Sequence, residues 1–266
     1  MKILFFGDIF GRSGRDALIK KLPYFKKNLN PDFILVNGEN ASHGRGITKT
    51  ICNDLFNSGI DIITGGNHIF DNRDVLNFID KEKRLLRPDN LQENSPGKGF
   101  EIYKSKKGFK IGVLNLMGNI FMKKSKDVFI SANEFLKKNK LKENYDFLVV
   151  DFHGEITSEK MAMGHFFDGK ATLVVGTHTH VPTNDARILK NGTAYQTDAG
   201  MCGDYNSVIG MNKENSLNRF MKKNSIKHFP AEGEASLCGV IVSCNPNNGL
   251  AENIETFVFG GELSKN

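Results

Sequence analysis

Five short segments carry side chains able to bind a cation or move a proton: Gly7-Asp8, Gly38-Glu39-Asn40, Gly65-Gly66-Asn67-His68, Asp151-Phe152-His153 and Gly176-Thr177-His178-Thr179-His180. Carboxylates and imidazoles are hard to borderline ligands suited to Mn, Fe, Zn or Mg, and a carboxylate such as Glu39 can bridge two cations. A pair of cations about 3.5–4 Å apart can hold a phosphate, lower the pKa of a shared water and steady both attacking and leaving oxygens. Without a metal's charge, so many acidic and imidazole groups in one place would carry desolvation and repulsion costs. The His178-Thr179-His180 spacing adds to this, because alternation in an extended segment points both rings to one side.

Each segment also has an ordinary reading. Asp8, between a strand and a helix, could cap that helix. Gly38-Glu39-Asn40 could be a polar turn, and Asn67-His68 could satisfy loop backbone groups. His153 alone reads as a hydrogen-bonded loop residue. Recurrence across five junctions is what points to a shared site. Gly7, Gly11 and Gly14 do not have GxGxxG spacing, and no Gly-Lys-Ser/Thr follows, which argues against dinucleotide and Walker-type sites. Of the remaining histidines, His165 falls in a presumed helix and His228 in a basic loop, while His43, close after Glu39, is the one expected to reach a substrate.

The elements that must position these groups alternate. Ile3–Phe6, Phe33–Val36 and Ile60–Ile63 are short apolar runs separated by helical spacing over Asp16–Asn28 and Lys49–Asn57, which implies parallel strands. Phe100–Tyr103 and Phe109–Leu116 flank a turn and predict a hairpin. A helix over Ser131–Lys138, a strand at Phe147–Val150, a helix over Ile156–Phe167 and a strand at Thr172–Val175 follow. Ala186–Gln196 and Gly239–Phe259 read as further hairpins. In open α/β sheets ligands bind beyond the carboxyl ends of the strands, so the five segments should converge. One domain over 1–266 is expected, with 205–233 as a cap or insertion beside the site.

With 266 residues, 39% hydrophobic and 25% charged, the chain can bury a large core. A net charge of +6 favours anionic partners: phosphates, nucleotides or RNA. Cys52, Cys202, Cys238 and Cys244 show no CxxC spacing, which fits a reducing compartment. The amino-terminal apolar run is too short for a signal peptide, and no stretch of about 20 apolar residues offers a membrane span. The expected location is the cytoplasm, and symmetry base rates suggest a homo-oligomer.

In this order, the five segments resemble the calcineurin-like metallophosphoesterase superfamily, and most closely its YmdB branch of 2′,3′-cyclic-nucleotide 2′-phosphodiesterases. Ser158-Glu159-Lys160-Met161-Ala162-Met163-Gly164 and Thr197-Asp198-Ala199-Gly200-Met201 are similar to that branch as well, so the likeness spans the chain. It implies a four-layer α/β/β/α sandwich of two mixed sheets flanked by helices. It further implies two metal ions, iron with manganese as the alternative, with Asp8, Glu39, Asn40 and His180 around the first and Asn67, His153 and His178 completing the second, Glu39 bridging. His68 would be the proton donor to the leaving oxygen or a group stabilising the developing charge, and a metal-bound hydroxide the nucleophile. Three positions depart from the wider superfamily, which has His at Phe10, Asp at Glu39 and an acid at Ile69. The first two suit the YmdB branch, and the third leaves Asp71 to orient His68 if the loop turns back.

The expected activity is hydrolysis of small phosphodiesters, cyclic nucleotides foremost. A nuclease or phosphomonoesterase using the same centre is the enzymatic alternative. A regulatory binding protein of RNA processing with slow turnover is the alternative of another class, and a purely structural metal protein with closed coordination shells is a further one.

Overall fold

The computed structural model describes residues 1–222 and 228–264. Two six-stranded sheets stack face to face. The first runs β12(Ala251–Phe259)-β11(Ala235–Cys244)-β10(Met201–Asp204)-β1(Lys2–Ile9)-β2(Phe33–Asn37)-β3(Ile62–Thr64), with β11 also pairing β1. The second runs β4(Phe100–Lys104)-β5(Lys110–Met117)-β6(Phe147–His153)-β7(Leu173–Thr177)-β9(Ala194–Gln196)-β8(Arg187–Ile188). In the first sheet β10-β1-β2-β3 run parallel out to the β3 edge, with β11 and β12 antiparallel at the other edge; in the second β5-β6-β7-β9 run parallel, with antiparallel β4 and β8 at the two edges.

Period-two side-chain alternation divides the core into three seams. Leu4 and Phe6 pack outward against α1(Gly11–Leu29) and α2(Lys49–Ser58), through Leu18, Leu22, Phe25 and Leu55. Ile3 and Phe5 point inward and meet Ile111, Val113, Val149 and Val175 of the second sheet. On the far side Leu114, Leu148, Val150 and Phe152 pack on α3(Val128–Lys138) and α4(Thr157–Phe166) through Ala132, Phe135 and Met163. The order is therefore helices, sheet, sheet, helices. Strands buried on both faces read as continuous apolar runs, which is why they stand out in the sequence.

Asp151 ties the two sheets together just beneath their carboxyl ends. Its carboxylate accepts from Asn37 Nδ2 at 2.9 Å and Thr64 Oγ1 at 2.5 Å, both from the first sheet, and from Thr177 Oγ1 at 2.7 Å in the second. Burial raises its pKa. These three donors fix the floor on which the five chemistry-bearing segments stand.

Candidate metal centre

Asp8 is the penultimate residue of β1 and His153 the last of β6; Glu39 and Asn40 follow β2, Asn67 and His68 follow β3, and His178 and His180 follow β7. All eight meet at one end of the sandwich. Around His153 Nε2 stand Glu39 Oε1 at 3.0 Å, Asn67 Oδ1 at 2.9 Å and His178 Nδ1 at 3.1 Å. Ligand atoms of Glu39, His153 and His178 lie within 4.8 Å of one another. A second group adjoins: His180 Nε2 is 3.1 Å from Asn40 Nδ2 and 3.9 Å from Asp8 Oδ1, and Asn40 Nδ2 is 3.1 Å from Glu39 Oε1. Asp8 Oδ2 accepts from the His178 amide at 3.1 Å and does not cap α1, whereas buried Asp8 Oδ1 has no hydrogen-bond partner among the described residues.

The outer nitrogen of each histidine is committed elsewhere. His153 Nδ1 donates to Thr177 Oγ1 at 2.9 Å, that hydroxyl being spent on Asp151. His178 Nε2 donates to Glu155 at 3.1 Å, and His180 Nδ1 to the Ile209 carbonyl at 2.8 Å. Fixing the outer proton turns each inner lone pair inward, as metal-ligating imidazoles require. Facing lone pairs repel without a cation or a proton. In the metal-free centre the proton goes to His153: burial opposes its charge, but Glu39 and Asp8 outweigh it and lift the pKa to about 9. Burial likewise opposes charge on Glu39, yet His153 beside it lowers the carboxyl to about 2. Burial, and then the charge on His153, push His178 down to about 3, while burial raises Asp8. The donor set and the orphaned Asp8 oxygen fit a cation.

Close approach requires missing side chains here. A Cβ on Gly66 would run into Glu39 Oε2 and His153 Nε2, and one on Gly176 into the Thr197 carbonyl. The expectation that His178-Thr179-His180 is extended is corrected by the backbone: β7 stops at Thr177, and His178 and His180 have φ of 104° and 66°. Asp198 causes this turn. Its buried Oδ2 accepts from the Thr179 amide at 3.1 Å and hydroxyl at 2.8 Å and pairs with Lys160 Nζ at 2.6 Å, both partners being about 1% exposed. Gripping the middle residue points both flanking rings into the centre through a turn rather than a pleat.

A family model described as YmdB-like protein matches residues 4–257. The chain belongs to the YmdB-like family. It is 42% identical over 262 residues, 98% of each chain, to the 2′,3′-cyclic-nucleotide 2′-phosphodiesterase of Bacillus subtilis (strain 168). A hypothetical protein from Thermus thermophilus superposes with a TM-score of 0.91 at 35% identity, covering 98% of this chain and 100% of that one. A novel phosphatase from Mycoplasma pneumoniae superposes at 0.90 with 34% identity, covering 98% and 93%. The α/β sandwich of two mixed sheets is thus shared with solved relatives.

In this YmdB-like chain Phe10 is buried with its ring edge-on to His180, 5.2 Å between centroids. Ile69 is core, and the loop does turn back: Asp71 accepts from His68 Nδ1 at 2.7 Å, while the His68 amide donates to Glu39 Oε2 at 2.8 Å. A cavity of about 350 Å³ opens over the centre, lined by His68, Glu155, Arg45, Arg219 and His228 among others. Here the histidine expectation reverses. His43 is exposed and outside the lining, whereas His228, expected only in a basic loop, is in it. Ile209, Met211, Arg219 and His228 bring the described part of 205–233 to the cavity wall; residues 223–227 lie outside the described residues.

Proposed function

We propose that the chain hydrolyses 2′,3′-cyclic nucleotides at a two-cation centre, breaking the ester to the 2′ oxygen and leaving a 3′-monophosphate. The reading rests on the convergence of Glu39, Asn67 and His178 acceptor atoms on His153 Nε2, and the name of the Bacillus subtilis relative supports the substrate. Asn67, His153 and His178 would hold one cation. Asp8, His180 and Asn40, whose amide presents its oxygen after a half-turn, would hold the other, with Glu39 between them. Bound there, the cations supply the positive charge that holds a phosphate and acidifies water. Iron is the proposed metal, with manganese as the alternative.

His68 does the proton work. Asp71 takes its Nδ1–H, and Nε2 has no protein partner among the described residues. From Nε2 a proton passes to the 2′ oxygen as its bond to phosphorus breaks. Water forms the new bond to phosphorus from the opposite side and releases a proton in turn, so the sum is one water added across the ester. The cavity leaves the centre open to substrate, unlike the closed shell of a structural metal site. Four buried cysteines without disulfides suit the cytoplasm as the place of action.

The deciding experiment combines metal analysis of protein purified without chelators with turnover of adenosine 2′,3′-cyclic phosphate, RNA and 4-nitrophenyl phosphate. Glu39→Gln should keep its circular dichroism and lose turnover by about a hundredfold or more. Unchanged turnover in that variant would overturn the reading, and preference for RNA or the monoester would reassign the activity to a nuclease or phosphomonoesterase.

A further inference from the structure

The cavity wall facing the metal centre is basic. Arg45 stands in a tight turn closed by Ser42 N to Gly46 O at 2.8 Å and Arg45 N to Ser42 O at 2.9 Å. Arg219 lies on α5(Lys213–Phe220), one turn after Ser216, so both project from the same face. Ser216 Oγ is 3.0 Å from His228 Nε2, and burial together with the charges of Arg219 and Arg45 lowers the His228 pKa. Neither guanidinium has a carboxylate within 4 Å among the described residues, and 223–227 contains no acidic residue. Glu155, the carboxylate on the cavity wall besides Glu39, is engaged by His178. Two exposed guanidinium groups thus line one cavity, with no side-chain hydrogen bond or ion pair to either among the described residues, an arrangement suited to a bidentate anionic ligand.

The cyclic phosphate itself belongs at the metal centre, so this anion is a different group. On a nucleotide whose 2′ and 3′ oxygens are taken, the ribose has one further position for a phosphate, O5′. We propose that Arg45 and Arg219 bind a 5′-phosphate, which makes the preferred substrate a nucleoside 2′,3′-cyclic phosphate that is also phosphorylated at O5′. This rests on the cyclic-phosphate reading above. Such a group is a monoester on a free mononucleotide or the last diester of an RNA 3′ end, and both present anionic oxygens to the arginines.

The test compares adenosine 2′,3′-cyclic phosphate, its 5′-phosphorylated form and a dinucleotide ending in 2′,3′-cyclic phosphate, on metal-loaded wild-type and on the Arg45→Gln/Arg219→Gln double variant. In the wild type the 5′-phosphate should raise kcat/KM about tenfold, mainly through KM, as hydrogen bonds to charged groups do. In the double variant that ratio should fall to near one. An equal gain with the dinucleotide identifies RNA ends as a source; a gain confined to the monoester identifies mononucleotides. Calorimetry gives a readout without turnover: adenosine 3′,5′-bisphosphate should bind about tenfold tighter than adenosine 3′-monophosphate, by the same contacts. A wild-type ratio near one in turnover and binding, or a tenfold ratio kept in the double variant, overturns the proposal while leaving the cyclic-phosphate reading intact. No turnover of any of the three substrates overturns that reading, and this proposal with it.

Discussion

Asp71 accepts from His68 at 2.7 Å and is itself paired with Lys123 at 2.7 Å; these contacts prevail over partial burial and keep its carboxyl below the ordinary range. A held imidazole delivers its proton along a fixed direction, so Asp71→Asn should lower kcat about tenfold and leave KM nearly unchanged. An ester with a good leaving group, which needs no proton, should lose much less, and equal losses on both substrates would remove His68 from the donor role. The proton on His153 sets a second expectation. Its pKa in the metal-free protein is about 9, so below that pH a cation must displace a proton. Cation affinity should therefore climb about tenfold per pH unit up to pH 9 and then level, as read by chelator competition. The metal-free fold should respond oppositely. His153 is raised above its unfolded value, so the stability it contributes is complete below about pH 6.5 and is lost as pH rises through about 9. Six of the eight residues of the candidate centre are legible in the sequence because imidazoles and acids are chemically conspicuous at the ends of apolar runs, and Asn40 and Asn67 stand beside them in the same segments. Asp71 is legible only as a conditional partner of His68, the condition being a loop that turns back, which it does; the meeting of Arg45, Arg219 and His228 is not legible, since it depends on where α5 comes to rest.

Among the elements, α4 and the turn after β7 depend on one buried ion pair. Lys160 lies beneath the turn and its ammonium is enclosed with Asp198, which also accepts from Thr179 and from the Gly200 amide at 2.8 Å. Removing one partner of such a pair leaves an uncompensated buried charge, costing about 3–5 kcal/mol. Lys160→Met should lower stability by that amount in chemical denaturation and, because Thr179 separates two proposed ligands, weaken cation binding as well. Lys160→Arg should restore part of both, and a Lys160→Met variant with wild-type stability would show the pair to be dispensable. Most elements can be placed from apolar period alone: the hairpin of β4 and β5, for instance, differs from its expected bounds by a residue or so. β10 is not legible because Met-Cys-Gly-Asp has no β-branched residue and no alternation, and pairs β1 only near its end. α1 begins at Gly11 rather than Asp16, since its first turn contains two glycines and lacks a side-chain cap. The turn at His178–His180 is hidden for a different reason, because its cause, Asp198, is twenty residues away in sequence from the first of the two rings.

For the molecule as a whole, chain order and sheet membership do not coincide. The chain builds β1 to β3 of the first sheet, then all of the second, and returns to add β10, β11 and β12 beside β1. β11 pairs with β1 from Lys2↔Ser243 to Phe6↔Gly239, so the first sheet closes only when the two ends of the chain meet. Neither sheet can then be a unit alone: each would expose the apolar face that the seam of Ile3, Phe5, Val113 and Val149 covers, and Asp151 would lose its partners across that seam. At about 1.5–3 kcal/mol for each large apolar side chain, exposing even a few members of the seam exceeds the net stability of an ordinary domain. Residues 1–266 are therefore expected to unfold as one unit. In chelator-treated protein, far-ultraviolet circular dichroism and the near-ultraviolet signal of the tyrosines should give coincident urea transitions, and the calorimetric and van't Hoff enthalpies should agree. Fragments 1–98 and 99–266, which separate β1 to β3 from everything after them, should each lack a cooperative melt. A cooperative transition in either fragment, or two resolved steps in the whole chain, would show that the sheets can stand apart, and the proposed metal centre would then lie at a domain boundary instead of on a shared floor.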